Sequence, residues 1–85
     1  MNFEQAAERV KKLSTTPSDT IMLQLYGLYK QATVGDVNTE RPSFWDLVGK
    51  AKWDSWEACK GKTTHDAKNL YILFVQKLVD EDEQN

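Results

Sequence analysis

Cysteine, histidine, proline and glycine are all scarce here: one Cys, one His, two Pro and four Gly in 85 residues. The single cysteine, Cys59, excludes an internal disulfide. The single histidine, His65, leaves no His-based metal cluster, so no metal site is expected. There is no N-terminal apolar run of signal-peptide length and no stretch able to span a bilayer. Asn2 follows Met1, which departs from the myristoylation pattern, and the C-terminus carries no prenylation box. These absences predict a soluble, reduced, cytoplasmic protein of one small domain over residues 1–85, without stable membrane anchoring. Excess positive charge is missing too: 11 Lys and Arg stand against 13 Asp and Glu, a net charge of −2, which argues against nucleic acid as a partner. Asp80, Glu81, Asp82 and Glu83 read as a solvated acidic end, and the rest of the chain is slightly positive without them. Screening confines charge effects to about 8–10 Å, so an anionic ligand can be accepted locally despite the overall sign. With neither disulfide nor metal, stability must come from helix packing and from the aromatics, chiefly the three tryptophans.

What is present is helical periodicity. Phe3, Ala7, Val10 and Leu13 form the stripe of an amphipathic first helix. Thr16-Pro17-Ser18-Asp19 predicts the start of a second, with Thr16 as N-cap and Pro17 at the first helical position. That helix runs through Ile21, Met22, Leu25, Leu28, Tyr29 and Ala32 to a stop at Gly35. Asp36 to Val48 has no period, and a connection this long inside a compact domain tends to be functional. Phe44, Trp45 and Leu47 are expected to tuck it onto the body. A third helix is expected from Gly49 to Lys60, ended by Gly61, with Ala51, Trp53, Trp56 and Cys59 on it. Thr63 or Thr64 caps a fourth, whose two apolar rows (Ala67, Tyr71, Phe74, Leu78 and Ile72, Val75, Val79) predict packing against more than one neighbour. Four helices and one long connection imply an all-α four-helix bundle; periodicity does not give its topology.

Two stretches mix aromatic rings with lysine at helical spacing. Tyr26, Tyr29 and Lys30 lie before the long connection; Lys50, Lys52, Trp53 and Trp56 lie after it. Tyr26 and Tyr29 at i, i+3 serve equally as core aromatics with hydroxyls at the rim or as a pair stacking on a ligand. Lys30 beside them offers donors to a phosphate, and the combination suits a ligand with an anionic head and a large apolar part. Trp53 and Trp56 are more often core at such spacing. Cys59 and His65 straddle Gly61, but no third group at recognisable spacing orients them, so no catalytic residue is expected and the chain is not read as an enzyme.

The pieces Y-x-x-Y-K-Q-A-T-x-G-D-x-N, then R-P, then G-K-A-K-W-D-x-W stand in order between Tyr26 and Trp56, and closely resemble the acyl-CoA-binding protein family, also known as the diazepam-binding inhibitor family. The resemblance covers essentially the whole chain. It implies an up-down-down-up bundle, with helices two and three parallel and the first-helix stripe packed on Tyr71, Ile72, Val75 and Leu78. It implies reversible binding of long-chain acyl-CoA as an intracellular carrier and buffer. That ligand apart it implies no cofactor; the chain is read as a monomer making transient contacts with acyl-CoA-using enzymes or membranes. Tyr26, Tyr29 and Lys30 would contact the adenine ring and 3′-phosphate of CoA, and Lys52 the head group. Lys11 would add a weaker electrostatic contact, and the Tyr71 hydroxyl would stand at the phosphate end. Met22 and Leu23 would line the acyl groove, although core packing accounts for them equally well. Trp56 is read as structural, and Trp53 as close to the acyl chain. A second reading from the same resemblance is a precursor of receptor-modulating peptides, released from about Gln31 to Lys50; a third is a helical interaction protein without ligand binding. Thr16 and Val48 replace lysines frequent in relatives, and Phe44-Trp45 replaces a smaller or aliphatic pair, which bears on head-group affinity and acyl length.

Overall fold

The computed structural model describes residues 1–84, and among them the chain forms four α-helices and no strand. Helix α1, Phe3–Val10, is opened by Asn2, whose side chain accepts from the Gln5 N–H while Gln5 reciprocates, a capping box. It stops at Val10 rather than Leu13, because Lys11 and Lys12 turn into tighter i→i+3 bonds with Glu8 and Arg9. Leu13 still packs on the core. Helix α2, Asp19–Thr33, is capped by Ser18, not Thr16: Ser18 Oγ accepts from the Ile21 N–H at 3.3 Å, and Pro17 lies outside the helix.

Helix α3 is Leu47–Glu57, so it begins two residues before the expected Gly49 and ends before Lys60. Asp46 is the cap, accepting from the Gly49 N–H at 3.0 Å. Helix α4, Thr64–Glu83, starts at the Thr63 cap, with the Asp66 N–H 3.0 Å from its hydroxyl. It absorbs the acidic run that the sequence presents as a solvated end. The reason is tertiary: Asp82 accepts from the Ser14 N–H and hydroxyl, and Arg9 stands 3.8 Å from Glu83. Gly35 directly follows the α2 cap with φ of 96°, while Gly61, with φ of 93°, lies beyond the end of α3 at Glu57 in the turn before α4, so the expected stop of α3 at Gly61 is corrected; both take backbone that only glycine adopts without strain.

Side-chain meetings set the topology. Phe3 of α1 stacks on Tyr29 late in α2 and meets Tyr71 midway along α4, while Arg9 and Ser14 reach the far end of α4. Helices α1 and α4 therefore run one way and α2 the other. Lys52 and Ser55 of α3 lie beside Tyr26 and Gly27 of α2, and Leu47 shares a groove with Asp19, so α3 runs with α2. The order is up-down-down-up, a four-helix bundle. Its core is Phe3, Ala6, Leu25, Ala32, Ala67, Tyr71, Val75 and Val79, with Ala7, Val10, Leu13, Ile72 and Leu78 packed around it. Helix α4 packs on both α1 and α2, as its two apolar rows predict, whereas α3 among the described residues packs on α2 alone. A helix held along one seam leaves open troughs beside that seam, and this decides where ligands can enter.

That seam is close. A Cβ at Gly27 would run into the Ser55 carbonyl, so glycine lets the α2 and α3 backbones approach. The connection after α2 is fastened by polar contacts. Trp56 Nε1 donates to the Gly35 carbonyl at 2.7 Å and Trp53 Nε1 to the Thr39 carbonyl at 2.9 Å. Arg41 pairs with Asp54 through two 2.9 Å bonds, a bidentate fork. Gln31, 1 % exposed, donates to Asp36 and to the Lys62 carbonyl, and Asp36 also accepts from the Gly61 N–H. The expectation that Phe44, Trp45 and Leu47 would tuck the connection down is corrected: all three are exposed, because these polar contacts already hold it.

Candidate functional site

Two troughs flank the outer face of α2. One, about 580 Å³, lies between α2 and the start of α3, lined by Asp19, Met22, Leu23, Tyr26, Leu47, Val48, Ala51 and Lys52. The other, about 420 Å³, lies between α2, α1 and α4, lined by Ala7, Glu8, Val10, Lys11, Met22, Leu25, Tyr26, Tyr29 and Tyr71. Met22 and Tyr26 belong to both, so they form the ridge over which one trough leads into the other. Both volumes fall within the range of about 300–1,000 Å³ usual for small-molecule sites.

Seven of the eight sequence-predicted residues line these troughs. Met22, Leu23, Tyr26 and Lys52 are in the first; Lys11, Met22, Tyr26, Tyr29 and Tyr71 are in the second. Lys30 lines neither. Its ammonium stands 4.8 Å over the Trp56 ring on the α3 side of α2, a cation–π contact. Tyr29, one residue earlier and about 100° around the helix, faces α1 and α4 instead. The compact patch suggested by Tyr26, Tyr29 and Lys30 is thus spread around α2, with Tyr26 in the middle.

The first trough is predominantly apolar with a cationic rim. Met22, Leu23, Leu47, Val48 and Ala51 make its walls, and the Lys52 ammonium sits 5.4 Å from the Tyr26 ring centroid. Leu47, Val48 and Ala51 are not among the sequence-predicted site residues: Leu47 and Val48 fall in the stretch from Asp36 to Val48 that shows no period, and the sequence puts Ala51 on the third helix without a role at the site. The usable signal was Asp46, three residues before Gly49, the spacing of an N-cap side chain and the N–H it accepts. Trp53 lines neither trough, since its indole serves the connection at Thr39. Trp56 is buried under Lys30 and acts structurally.

The second trough is aromatic. Tyr71 lies 5.1 Å from Phe3 and 6.0 Å from Tyr29 between ring centroids, and Phe3 and Tyr29 stack at 5.5 Å. Burial pushes the Tyr71 phenol up from its ordinary pKa, and neighbouring Tyr29 adds to the rise, so the Tyr71 phenol stays a neutral hydroxyl near pH 7. Among the described residues none of the Tyr26, Tyr29 and Tyr71 hydroxyls is hydrogen-bonded within the chain, and neither Lys30 nor Lys52 has a carboxylate partner. Lys11 differs, pairing with Glu8 at 3.4 Å, an exposed contact of little strength. Three phenols and the unpaired Lys52 ammonium spread over the two adjoining troughs can take up an anionic, phosphate-bearing head while the first, apolar trough takes an apolar tail.

Cys59 and His65 do not meet. The buried thiol donates to the Ser55 carbonyl at 3.5 Å, and burial raises its pKa, only partly offset by Lys62. His65 is exposed and pairs with Asn69 at 3.2 Å. No helix among the described residues is long and apolar enough to cross a membrane.

A family model described as acyl CoA binding protein matches residues 1–75. A relative from the genus Hypsibius is 54 % identical over 78 residues, covering 92 % of this chain and 88 % of its own length. The acyl-CoA-binding protein of Brassica napus is 51 % identical over 79 residues, covering 93 % of this chain and 86 % of its own. The crystal structure of Oryza sativa acyl-CoA-binding protein 2 superposes with a TM-score of 0.93 at 46 % identity, covering 98 % of this chain and 92 % of that one.

Proposed function

Given that the chain belongs to the acyl-CoA-binding protein family, we propose that it binds long-chain acyl-CoA thioesters reversibly and acts as a cytoplasmic carrier and buffer of them, without catalysing a reaction on them. The observation that carries this reading is the apolar trough between α2 and α3, whose rim is the unpaired Lys52 against Tyr26. The acyl tail lies along Met22, Leu23, Ala51 and Val48. The nucleotide head crosses the Met22–Tyr26 ridge towards Tyr29, Tyr71 and Lys11, with Lys30 swinging from Trp56 to a phosphate. Burying a sixteen-carbon tail at about 0.8 kcal/mol per methylene contributes roughly 12 kcal/mol gross. Each charge-assisted bond from a lysine adds about 1.5–3 kcal/mol, and ordering and desolvation remove much of both. The tail therefore dominates affinity, and the phosphate contacts discriminate against free fatty acid.

Titration calorimetry tests it. Palmitoyl-CoA is expected to bind far more tightly than either CoA or palmitate. Equal affinity for palmitate and palmitoyl-CoA would remove the head-group half of the proposal.

A further inference from the structure

Beside the mouth of the first trough, Phe44, Trp45, Leu47 and Val48 are 72 %, 74 %, 70 % and 66 % exposed. The Phe44 and Trp45 rings pair with each other, edge to face at 4.6 Å between centroids, and the Trp45 indole N–H has no hydrogen-bond partner among the described residues. Neither ring lines the trough, so they do not close over it. They sit on a stiff platform: the Asp46 cap lies within the patch, and Arg41–Asp54 and Trp53–Thr39 hold the chain leading to it. With aromatic side chains offering about 150–250 Å² each, the four together present on the order of 500 Å². That is within the size of surface patches that are often functional, and short of the roughly 800 Å² per partner that a specific stable complex needs.

We propose that this patch is a wedge by which the protein rests on the interface of a zwitterionic lipid bilayer. A bilayer demands no shape complementarity, so a small convex apolar projection suffices where a protein partner would need a larger matched face. Trp45 combines an apolar ring with a free N–H, the amphipathic character that places tryptophan at headgroup depth, and amphipathic elements of this kind settle about 5–10 Å into the interface. The choice of headgroup follows from charge. Residues 40–54 carry three cations (Arg41, Lys50, Lys52) and three carboxylates (Glu40, Asp46, Asp54), leaving no local excess of either sign. The acidic run at the end of α4 lies at the same end of the bundle, since Leu78 and Asp82 share a cleft with Ile21 while Asp19 shares the trough with Leu47. An anionic surface is therefore not favoured. Docking this way sets the mouth of the trough against the lipid, because Leu47 and Val48 belong to both wedge and trough.

The test uses the full chain without ligand and vesicles of pure dioleoylphosphatidylcholine. Wild type is expected to co-sediment at least about tenfold more strongly than a Phe44→Ser/Trp45→Ser double variant. Brominated acyl chains should quench its emission, Trp45→Ser should abolish that quenching, and salt should matter little. Absence of partition, equal partition of the variant, or binding that needs phosphatidylserine and collapses in high salt would overturn the proposal. So would a dimer without lipid that the double variant abolishes. Palmitoyl-CoA titration without vesicles separates this inference from the ligand reading: the double variant should keep wild-type affinity, and a tenfold loss there would make the rings part of the ligand site and overturn the wedge.

Discussion

Gly27→Ala sets two effects of comparable size against each other, and the structure decides the sign. Helix propensity alone favours alanine by about 1 kcal/mol in the interior of α2. The added Cβ, however, would stand 2.7 Å from the Ser55 carbonyl carbon and 3.3 Å from the Trp56 nitrogen, and nearer still to the Ser55 oxygen. Non-bonded carbons rest at about 3.5–4.0 Å, so the α2–α3 seam must open by roughly 1 Å. The obstacle is helix backbone and cannot swing aside as a side chain would. Overpacking of this kind costs about 1–3 kcal/mol, and the upper end applies here. The net is a loss of about 2 kcal/mol, or roughly 8–16 °C in Tm for a chain of this length. Because the first trough lies between the same two helices, palmitoyl-CoA affinity should fall in the same variant. Urea unfolding by circular dichroism measures the first quantity and calorimetry the second. A variant stabilised by about 1 kcal/mol, as propensity alone predicts, would refute the close-seam argument.

Lys30→Ala should weaken palmitoyl-CoA binding by about tenfold or more, the worth of a charge-assisted hydrogen bond, and Lys11→Ala by less; the reverse ranking in titration would overturn the placement of the phosphates. Trp56→Phe strands the Gly35 carbonyl and thins the packing under Lys30, so it should cost about 2–4 kcal/mol in urea unfolding, and a loss below about 1 kcal/mol would show that the indole N–H does not hold the connection. Stability should fall in acid. The Gly61 N–H and the Gln31 amide hold the Asp36 carboxyl below the ordinary value of 3.8, the Arg41 fork does the same for Asp54, and the Ser14 hydroxyl and N–H for Asp82. Each folded-state carboxylate binds fewer protons than its unfolded counterpart, so the contribution is complete above 3.8 and drains away as pH falls through the lower folded values. Thermal melts followed downwards from neutral pH measure it, and an Asp36→Asn/Asp54→Asn/Asp82→Asn variant that kept the wild-type acid slope would contradict the assignment.

Much of this was readable in one dimension. The stripes of α1 and α4, the threonine cap of α4 (Thr63 or Thr64 in sequence, Thr63 in the structure) and the stop at Gly35 are local signals, each decided by side chains within a turn or two of one another. Of the eight site residues, Tyr26, Tyr29, Lys30 and Lys52 came from the ordered motifs and Lys11, Met22, Leu23 and Tyr71 from the wider resemblance, and seven of the eight border the two troughs. What escaped is where distant groups meet. Ser14 and Asp82, 68 residues apart, turn an acidic end into helix. Gln31 and Lys62, 31 apart, close the bundle under the connection. Phe44 and Trp45 look in sequence like anchors, and only the polar fastening of that connection by Trp53, Trp56 and Arg41 leaves them facing outwards.

The amino-acid order by itself determined the helices, their apolar faces and the chemical types gathered before and after the long connection. Only the tertiary structure decided that, among the described residues, α3 rests on α2 alone, that Gly27 lets their backbones close, and that Lys30 and Tyr29 part company around α2. Periodicity records which face of a helix avoids water. It does not record what covers that face, and an uncovered face is what a trough, and a wedge beside it, are made from.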